Sequence, residues 1–274
     1  MRTTLKLLHA NLFRLHKSRL LLLCMAAAFT VSSLFLLQIG GSEESVWTPD
    51  EALLQVLPFL PVLYAAFAGL FSGVEYQDGT MRSKIIAGHT RSAVYLSQLL
   101  AAMTGCLGIL LAWALSAAVG AVRLGWFAAP WPELLLRFVV ILMTMAAMAA
   151  ILTLFAMLIT NRAVSGVTVI PAVFALLLLS SYLYNALCEP ELLFAAIMTE
   201  TGYEVGEPVP NPNYIGGTLR AVYQFLSEAL PSGQAILLAN QELTRPGLSL
   251  CASLCIALLT TGAGIAVFRR KDLK

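Results

Sequence analysis

The residues best able to do chemistry lie together in one short polar loop between two apolar segments. Glu75, Asp78 and His89 could transfer protons there, and Arg82 and Lys84 could bind a carboxylate or a phosphate. No nucleophile with an orienting base accompanies them, and the sequence contains no H-E-x-x-H, G-x-S-x-G or G-x-x-x-x-G-K-[ST] motif. Neither catalysis nor ATP hydrolysis by this chain is therefore expected.

The same loop carries the local signals of one short helix. Gly79 interrupts the preceding apolar segment, Thr80 can cap a helix start, and Gly88 can close the helix after about two turns. A helix about 10 Å long is marginal in water, so it needs a surface to dock against. Met81 and Ile85 share one face by their i, i+4 spacing. Two interpretations remain open: a basic hairpin resting on anionic lipid, or a knob inserted into a cytoplasmic partner.

The elements that position this loop are membrane spans. Of the 274 residues, 59% are apolar and 12% are charged, whereas soluble domains have about 25% charged residues. A span needs about 20 mostly apolar residues. Because hydrocarbon offers the backbone no hydrogen-bond partner, a span of this length should be a helix, whose backbone groups bond to one another. Six such helices are predicted near residues 20–39, 52–74, 94–122, 138–160, 164–187 and 248–268.

The charges predict the orientation of these spans. Most of the 17 lysines and arginines fall in the two tails and in the second and fourth loops. The remaining loops carry most of the carboxylates. By the positive-inside rule, both termini are expected in the cytoplasm. The basic residues on that side are Arg2, Lys6, Arg14, Lys17, Arg19, Arg82, Lys84, Arg91, Arg162, Arg269, Arg270, Lys271 and Lys274.

The first segment, residues 1–19, has a helical pattern of its own. Its leucines recur at helical spacing, and its basic residues fall elsewhere on the surface; the leucines are Leu5, Leu8, Leu12 and Leu15. This pattern predicts an amphipathic helix lying on the inner leaflet. The alternatives are charges that serve only to set topology, or a signal peptide, against which the apolar run continues to Ile39.

Several apolar-span features bear on packing and transport. The six core segments contain no ionisable Asp, Glu, Lys, Arg or His, so a proton or sodium relay is not expected. Gly69 and Gly73 form a G-x-x-x-G pair that lets another helix approach closely. Pro58, Pro61 and Pro171 are expected to kink their helices. Largely apolar spans favour an amphipathic cargo. Cys251 and Cys255 lack the second ligand pair that a zinc site needs.

The long segment 188–247 divides into two halves. The first is acidic and interrupted by four prolines, so it is expected to be rich in loops. The second carries Leu219, Val222 and Leu226 at helical spacing, Pro231 should end that helix, and residues 235–238 begin another apolar piece. These helices are expected either to pack on the outer ends of the spans or to form a gate that contacts cargo.

The segment from Phe71 to Arg91, FSGVEYQDGTMRSKIIAGHTR, resembles the first cytoplasmic loop of ABC-2-type transporter permeases. In that family an acidic residue is followed by Gly-Thr, a basic residue, a short helix, and then Gly, Arg and the next span. The resemblance continues to Gln98, and the C-terminal FRRKD at residues 268–272 resembles the family's ending. The layout agrees over the whole chain: an amphipathic helix, six spans and a large segment before the last span.

The resemblance implies an all-α membrane protein with a cytoplasmic coupling helix in loop 75–93, between spans 2 and 3, and short extracellular helices between spans 5 and 6. It implies a bacterial exporter subunit in the cytoplasmic membrane that moves a peptide, drug or lipid-like cargo. A second permease subunit, identical or not, would pair with it. ATP and Mg²⁺ would bind a separate ATP-binding subunit, and neither a cofactor of its own nor a nucleic-acid partner is expected. The coupling positions carried over are Glu75, Gly79, Thr80, Met81, Arg82, Lys84, Ile85, Gly88 and Arg91.

Two other function classes stay open from the sequence. One is a membrane assembly or structural protein, which would need no ATP-binding partner. The other is an enzyme that acts on lipid, for which Glu75, Asp78 and His89 are the available acids and bases near the inner surface. Copurification of an ATP-binding subunit would distinguish a transporter from an assembly protein. A His89 variant that loses chemical activity but keeps its assembly would support the lipid-acting enzyme.

Overall fold

The computed structural model of this chain describes residues 2–39, 47–159, 161–199 and 202–271. These residues form helices joined by short turns, with one antiparallel hairpin. The elements in chain order are α1 (Arg2–His16), α2 (Arg19–Ile39), α3 (Pro49–Gln55), α4 (Leu60–Gln77), α5 (Thr80–Ile86), α6 (Arg91–Leu115), α7 (Ala117–Leu124), α8 (Trp131–Leu158), α9 (Arg162–Cys188), β1 (Leu192–Thr199), β2 (Gly202–Pro210), α10 (Gly217–Ala229), α11 (Pro231–Ala239) and α12 (Pro246–Arg270).

The six predicted spans are confirmed as helical segments long and apolar enough to cross a membrane, and they mark a multi-pass membrane protein. The segments are Arg19–Ile39, Pro49–Gln77, Arg91–Val122, Trp131–Leu158, Gly166–Cys188 and Pro246–Arg270. The largest difference is at the fourth, which begins at Trp131 instead of near residue 138. Glu133 and Arg137 explain it, because they form an i, i+4 ion pair that keeps these polar first turns helical.

The second span consists of two helices. α3 begins at a capping box in which the Thr48 side chain accepts from the Glu51 amide and Glu51 accepts from the Thr48 amide. Pro58 lies in a 3-10 turn at Leu57–Phe59, and Pro61 lies in the first turn of α4. These prolines therefore break the span instead of kinking one helix, since a proline cannot donate the helical bond but fits the first turn. Pro171 lies inside α9.

The centre of the bundle is built from α4, α6 and α8, which pack on one another. In the most apolar stretch of each span, 61% of the second and 56% of the fourth is buried, against 22% of the fifth and 11% of the sixth. Gly69 and Gly73 are buried in α4, which packs along α9 and α8. The outer faces of α9 and α12 remain apolar and exposed, as expected for helices that contact lipid or another subunit.

Opposite ends of the bundle carry different elements. The basic end carries α1, α5 and the C-terminal end of α12, and the acidic end carries α3, α7, the hairpin and α10. At the acidic end, the prediction of a loop-rich first half was wrong, because β1 pairs with β2 from Leu192 opposite Pro210 to Thr199 opposite Gly202. The apolar, proline-free β1 favours a strand, and a two-stranded edge tolerates the prolines of β2.

The two helices predicted after the hairpin are confirmed, but α11 does not lie on the outer ends of the spans. α10 ends at Ala229, and Pro231 begins α11. The buried Gln234 side chain of α11 accepts from Thr144 at 2.6 Å and from Ser253 at 2.8 Å. Thr144 lies about 20 Å along α8 from its start, at about 1.5 Å per residue. α11 therefore enters the bundle, where it packs on α8 and α9, and the Gln234 side chain bonds it to Ser249 and Ser253 of α12.

Candidate functional site

The predicted short helix is confirmed as α5, and glycines set both of its ends. Gly79 (φ +66°) precedes it and Gly88 (φ +88°) follows it, both in the left-handed region that a side chain would strain. The Gly88 amide donates to the Ile85 carbonyl at 2.9 Å, which closes the last turn. Thr80 does not cap the helix as predicted, because its hydroxyl donates to the Glu75 carbonyl at 3.1 Å and so ties α5 to the end of α4.

The two faces of α5 differ in what they contact. Met81, on the inner face, is 1% exposed and packs in an apolar cluster with Leu7, Tyr95 and Phe268. On the outer face, Ile86 is 76% exposed. Met81 and Ile85, which the spacing placed on one face, both turn inward: Met81 is core and Ile85 is half-buried against the same cluster. The surface offered to solvent is formed by the next residues around the helix: Asp78, Gly79, Thr80, Arg82, Ser83, Ile86 and Ala87.

Glu75 is the centre of a buried charge cluster at the end of α4. Its side chain is 1% exposed, and its Oε1 lies 2.6 Å from Arg14 Nη1 of α1 and 2.6 Å from Lys84 Nζ of α5. The Arg14 guanidinium also stacks 4.0 Å above the Phe71 ring. A buried carboxylate is tolerated where cations of this kind compensate it. Glu75 therefore joins α1, α4 and α5 and is not a free acid or base.

Amide and hydroxyl side chains extend this cluster into α6. Lys84 Nζ donates to Asn11 Oδ1 at 2.9 Å, and Asn11 Nδ2 donates to both Ser97 and Gln98 at 3.4 Å. Gln98 in turn donates to the Ser72 hydroxyl of α4 at 3.0 Å. We call Asn11, Arg14, Ser72, Glu75, Lys84, Ser97 and Gln98 the anchor network. It connects α1, α4, α5 and α6, so α5 is fixed to the ends of both flanking spans.

Burial and the charge of Glu75 act in opposite directions on the two cations of the anchor network. Burial lowers the pKa of Lys84, and Glu75 counteracts part of that shift by favouring the charged amine. The pKa of Arg14 is likewise lowered by burial and supported by Glu75. Glu75 therefore favours the charged form of both cations, and the charge of Asp78 adds to this effect at Arg14.

The C-terminal segment is tied to the same end of the bundle. Arg91, one of the predicted coupling positions, donates to the carbonyls of Phe268 and Lys271 and so caps the end of α12. Lys271 Nζ donates to Met157 O at 2.6 Å and to Leu158 O at 2.9 Å, which places its charge at the C-terminus of α8. These contacts hold α6, α8 and α12 together beside the anchor network.

We expect the stability of the protein to rise with pH in a window set by Lys271. Burial lowers the pKa of Lys271 from 10.5 to about 8. Between pH 8 and pH 10.5 the unfolded state therefore binds more protons than the folded state, and the free energy of unfolding must increase with pH. The neutral amine keeps N–H donors for both carbonyls. Unfolding titrations across this window should give a steeper rise for the wild type than for Lys271→Met, and equal slopes would contradict the assignment.

The N-terminal helix α1 is confirmed, but with a different buried face from the one predicted. Leu5 is 61% exposed, whereas Leu7 and Leu15 are buried together with Asn11. The inward stripe is therefore Leu7, Asn11 and Leu15, and it packs on α6. The spacing of the leucines did not predict this stripe, because its middle residue, Asn11, is polar. An asparagine at a buried position of an otherwise amphipathic helix is the signal that could have located the anchor network.

The arrangement is suited to binding and to mechanical linkage. Asp78 is exposed and His89 is half-buried, while Glu75 is occupied by its two cations. In the part of the chain that the structure describes, no group of three or more His, Cys, Asp and Glu residues is placed to hold a metal ion. A fixed helix with one exposed apolar side chain, next to a cation, is suited to contact another protein.

Comparisons with known proteins do not assign this chain to a family. No family model matches the chain, and a search of curated proteins finds no matching relative.

Proposed function

We propose that this chain is the transmembrane subunit of an ATP-driven ABC-type exporter in the bacterial cytoplasmic membrane, and that α5 is its coupling helix. The observation that carries the proposal is the contrast between the two faces of α5. Ile86 is 76% exposed on a helix whose other face is fixed in the core through Met81. An apolar side chain on a helix that is already fixed offers a partner a contact that needs little ordering on binding.

The anchor network supports the mechanical role of this helix. Glu75, at the end of the second span, binds Lys84 of α5 directly, and Gln98 of the third span joins the same set of bonds. A displacement of α5 by a partner would therefore move both spans together instead of bending a loose loop. Glu75, Met81, Lys84 and Arg91 would then act from inside the chain, and Arg82 and Ile86 would touch the partner.

The proposed exporter needs two kinds of partner subunit, an orientation in the membrane and a cargo. The chain has no phosphate-binding loop, so ATP and Mg²⁺ would bind on a separate ATP-binding subunit. A second permease subunit would cover part of the exposed apolar surface of the spans. α1 and the C-terminal end of α12 lie at the basic end, which the positive-inside rule would assign to the cytoplasm. The cargo would be amphipathic, as largely apolar spans favour.

We expect Ile86→Asp to abolish binding of the ATP-binding subunit while leaving the fold intact. A carboxylate in place of the exposed isoleucine would be buried unpaired in the interface, which costs enough to weaken binding by about a hundredfold or more. The measurement is a pull-down of candidate ATP-binding subunits from the same genome with the detergent-solubilised chain. Arg82→Glu is the second variant.

Val209→Asp is the matched control, because Val209 is 57% exposed in the β-hairpin at the acidic end, outside the spans and away from α5. It should retain the partner, and all three variants should elute as the wild type does in gel filtration. Retention of the partner by both Ile86→Asp and Arg82→Glu would contradict the role of α5. Absence of any ATP-binding subunit with the wild type would instead favour the assembly-protein alternative.

A further inference from the structure

A cavity of about 360 Å³ lies at the acidic end of the bundle, between α3, the α6–α7 corner and α8. Its walls are apolar and include Leu53, Trp113, Leu134, Phe138 and Ile141. The rim carries Trp131, which is 80% exposed, so the cavity opens on the surface that a bilayer would cover. At about 30 Å³ for each methylene-sized group, it has room for about a dozen such groups.

One wall of the cavity is polar. Asp50 is buried, and its Oδ1 accepts from the Ala128 amide at 3.2 Å. Arg137 uses Nη2 for Glu133 at 2.5 Å and for Gln241 at 3.1 Å. Arg137 Nη1 lies 3.6 Å from Asp50 Oδ2, which is too long for a hydrogen bond. Nη1 is buried and has no hydrogen-bond partner among the described residues, so one charged donor at this wall is left to be satisfied.

The charge of this wall limits the acceptor. Asp50 and Glu133 are opposed by the single cation Arg137, which leaves one net negative charge beside the cavity. An anionic headgroup would be repelled, whereas a neutral carbonyl could accept from Nη1 without that cost. Arg137 lies about 9 Å along α8 from Trp131, at about 1.5 Å per residue. With Trp131 at the headgroup level, Arg137 would lie near the depth of lipid ester groups.

We propose that this cavity binds one acyl chain of a zwitterionic glycerophospholipid from the bilayer, and that the ester carbonyl of that chain accepts a hydrogen bond from Arg137 Nη1. The apolar walls take the methylene groups, and the remaining headgroup stays at the rim beside Trp131. This site is separate from the α5 surface and does not depend on the proposed transport function.

The test uses Trp113 as the reporter, because it lines the cavity and is 3% exposed. In a variant with the other three tryptophans, Trp47, Trp126 and Trp131, changed to phenylalanine, phosphatidylcholine brominated on its acyl chains is titrated into the detergent-solubilised protein. Saturable quenching of Trp113 is expected. Ala114→Phe, which fills the cavity, should reduce the quenching at least fivefold, whereas the control Ala175→Phe on the exposed surface of α9 should not.

Two lipid probes test the polar wall on the same protein without further mutation. An ether-linked brominated lipid lacks the carbonyl and should bind about tenfold more weakly than its ester counterpart, as expected for loss of a hydrogen bond to a charged donor. Brominated phosphatidylglycerol should also bind more weakly than phosphatidylcholine. Equal quenching in Ala114→Phe and Ala175→Phe would overturn the site, and equal affinity for the ester and ether lipids would overturn the role of Arg137.

Discussion

Glu75→Gln is expected to destabilise the protein by about 3 kcal/mol, because it leaves two cations in the anchor network without their carboxylate. Glu75 is 1% exposed and lies 2.6 Å from both Arg14 Nη1 and Lys84 Nζ. Glutamine preserves the size and part of the hydrogen bonding, so the loss reports the charge itself. The measurement is the free energy of unfolding in detergent, followed by tryptophan fluorescence during titration with a denaturing detergent.

Asp78→Asn is the matched control, since Asp78 is an exposed carboxylate three residues further along the same loop. Its effect should remain within about 0.5 kcal/mol, as for most surface substitutions. A double-mutant cycle of Glu75→Gln with Lys84→Met should recover part of the loss, because the buried amine no longer needs a partner. Equal effects of Glu75→Gln and Asp78→Asn would contradict the assignment of the buried cluster.

The Glu75 and Ile86 variants should also separate stability from partner binding. Glu75→Gln acts inside the chain and should lower the stability of the protein alone. Ile86→Asp changes a side chain that is 76% exposed, so it should leave the stability of the isolated chain nearly unchanged. A variant that loses the partner without losing stability therefore identifies the contact surface, and the comparison distinguishes contact from positioning within one short loop.

Gly264→Ala is expected to destabilise the protein by about 3 kcal/mol, near the upper end for overpacking of a core. A Cβ at this position of α12 would overlap Oη and Cζ of Tyr95. Tyr95 is fully buried, and its ring packs 6.2 Å from that of Phe268, so it has little room to move. The free energy of unfolding in detergent is again the measurement.

Gly262→Ala is the control in the same helix, because a Cβ there meets no atom within 4 Å. It should leave stability unchanged or raise it by about 0.5 kcal/mol, since alanine is the better helix former. Tyr95→Phe should recover part of the loss in the Gly264→Ala background, because it removes the Oη that the new methyl meets. That hydroxyl has no hydrogen-bond partner among the described residues, so little is lost by removing it. A loss for Gly262→Ala as large as that for Gly264→Ala would contradict this close packing.

Local signals in the sequence were sufficient for the spans and for the existence of α5. Long apolar segments must be helical in hydrocarbon, whatever their neighbours are. Gly79 and Gly88 mark the ends of α5 because their left-handed backbone is a property of each residue and its turn. The same holds for Pro231, which separates α10 from α11. Each of these features depends on interactions within a few residues of the chain.

The β-hairpin and the position of α11 were not predictable in the same way. The prolines of β2 were read as loop signals, yet they are compatible with the edge of a two-stranded sheet. The hydrogen bonds of Gln234 reach Thr144 and Ser253, which are 90 and 19 residues away. Nothing in the local pattern of α11 indicates those partners, so its insertion into the bundle required the tertiary structure.

The sequence by itself determined a helical membrane protein with six spans and a short, glycine-bounded helix after the second, since span length and turn chemistry are local. Only the tertiary structure decided which side of that helix is available to a partner. Ile85 and Ile86 are identical and adjacent, but the cluster around Met81 covers the first and leaves the second exposed. Likewise, the sequence shows Glu75 only as a charged residue near the end of a span. The fold makes it the centre of a buried cluster, because it brings Arg14 and Lys84 next to it. These roles arise from contacts between helices distant in sequence, which hydrophobic periodicity does not specify.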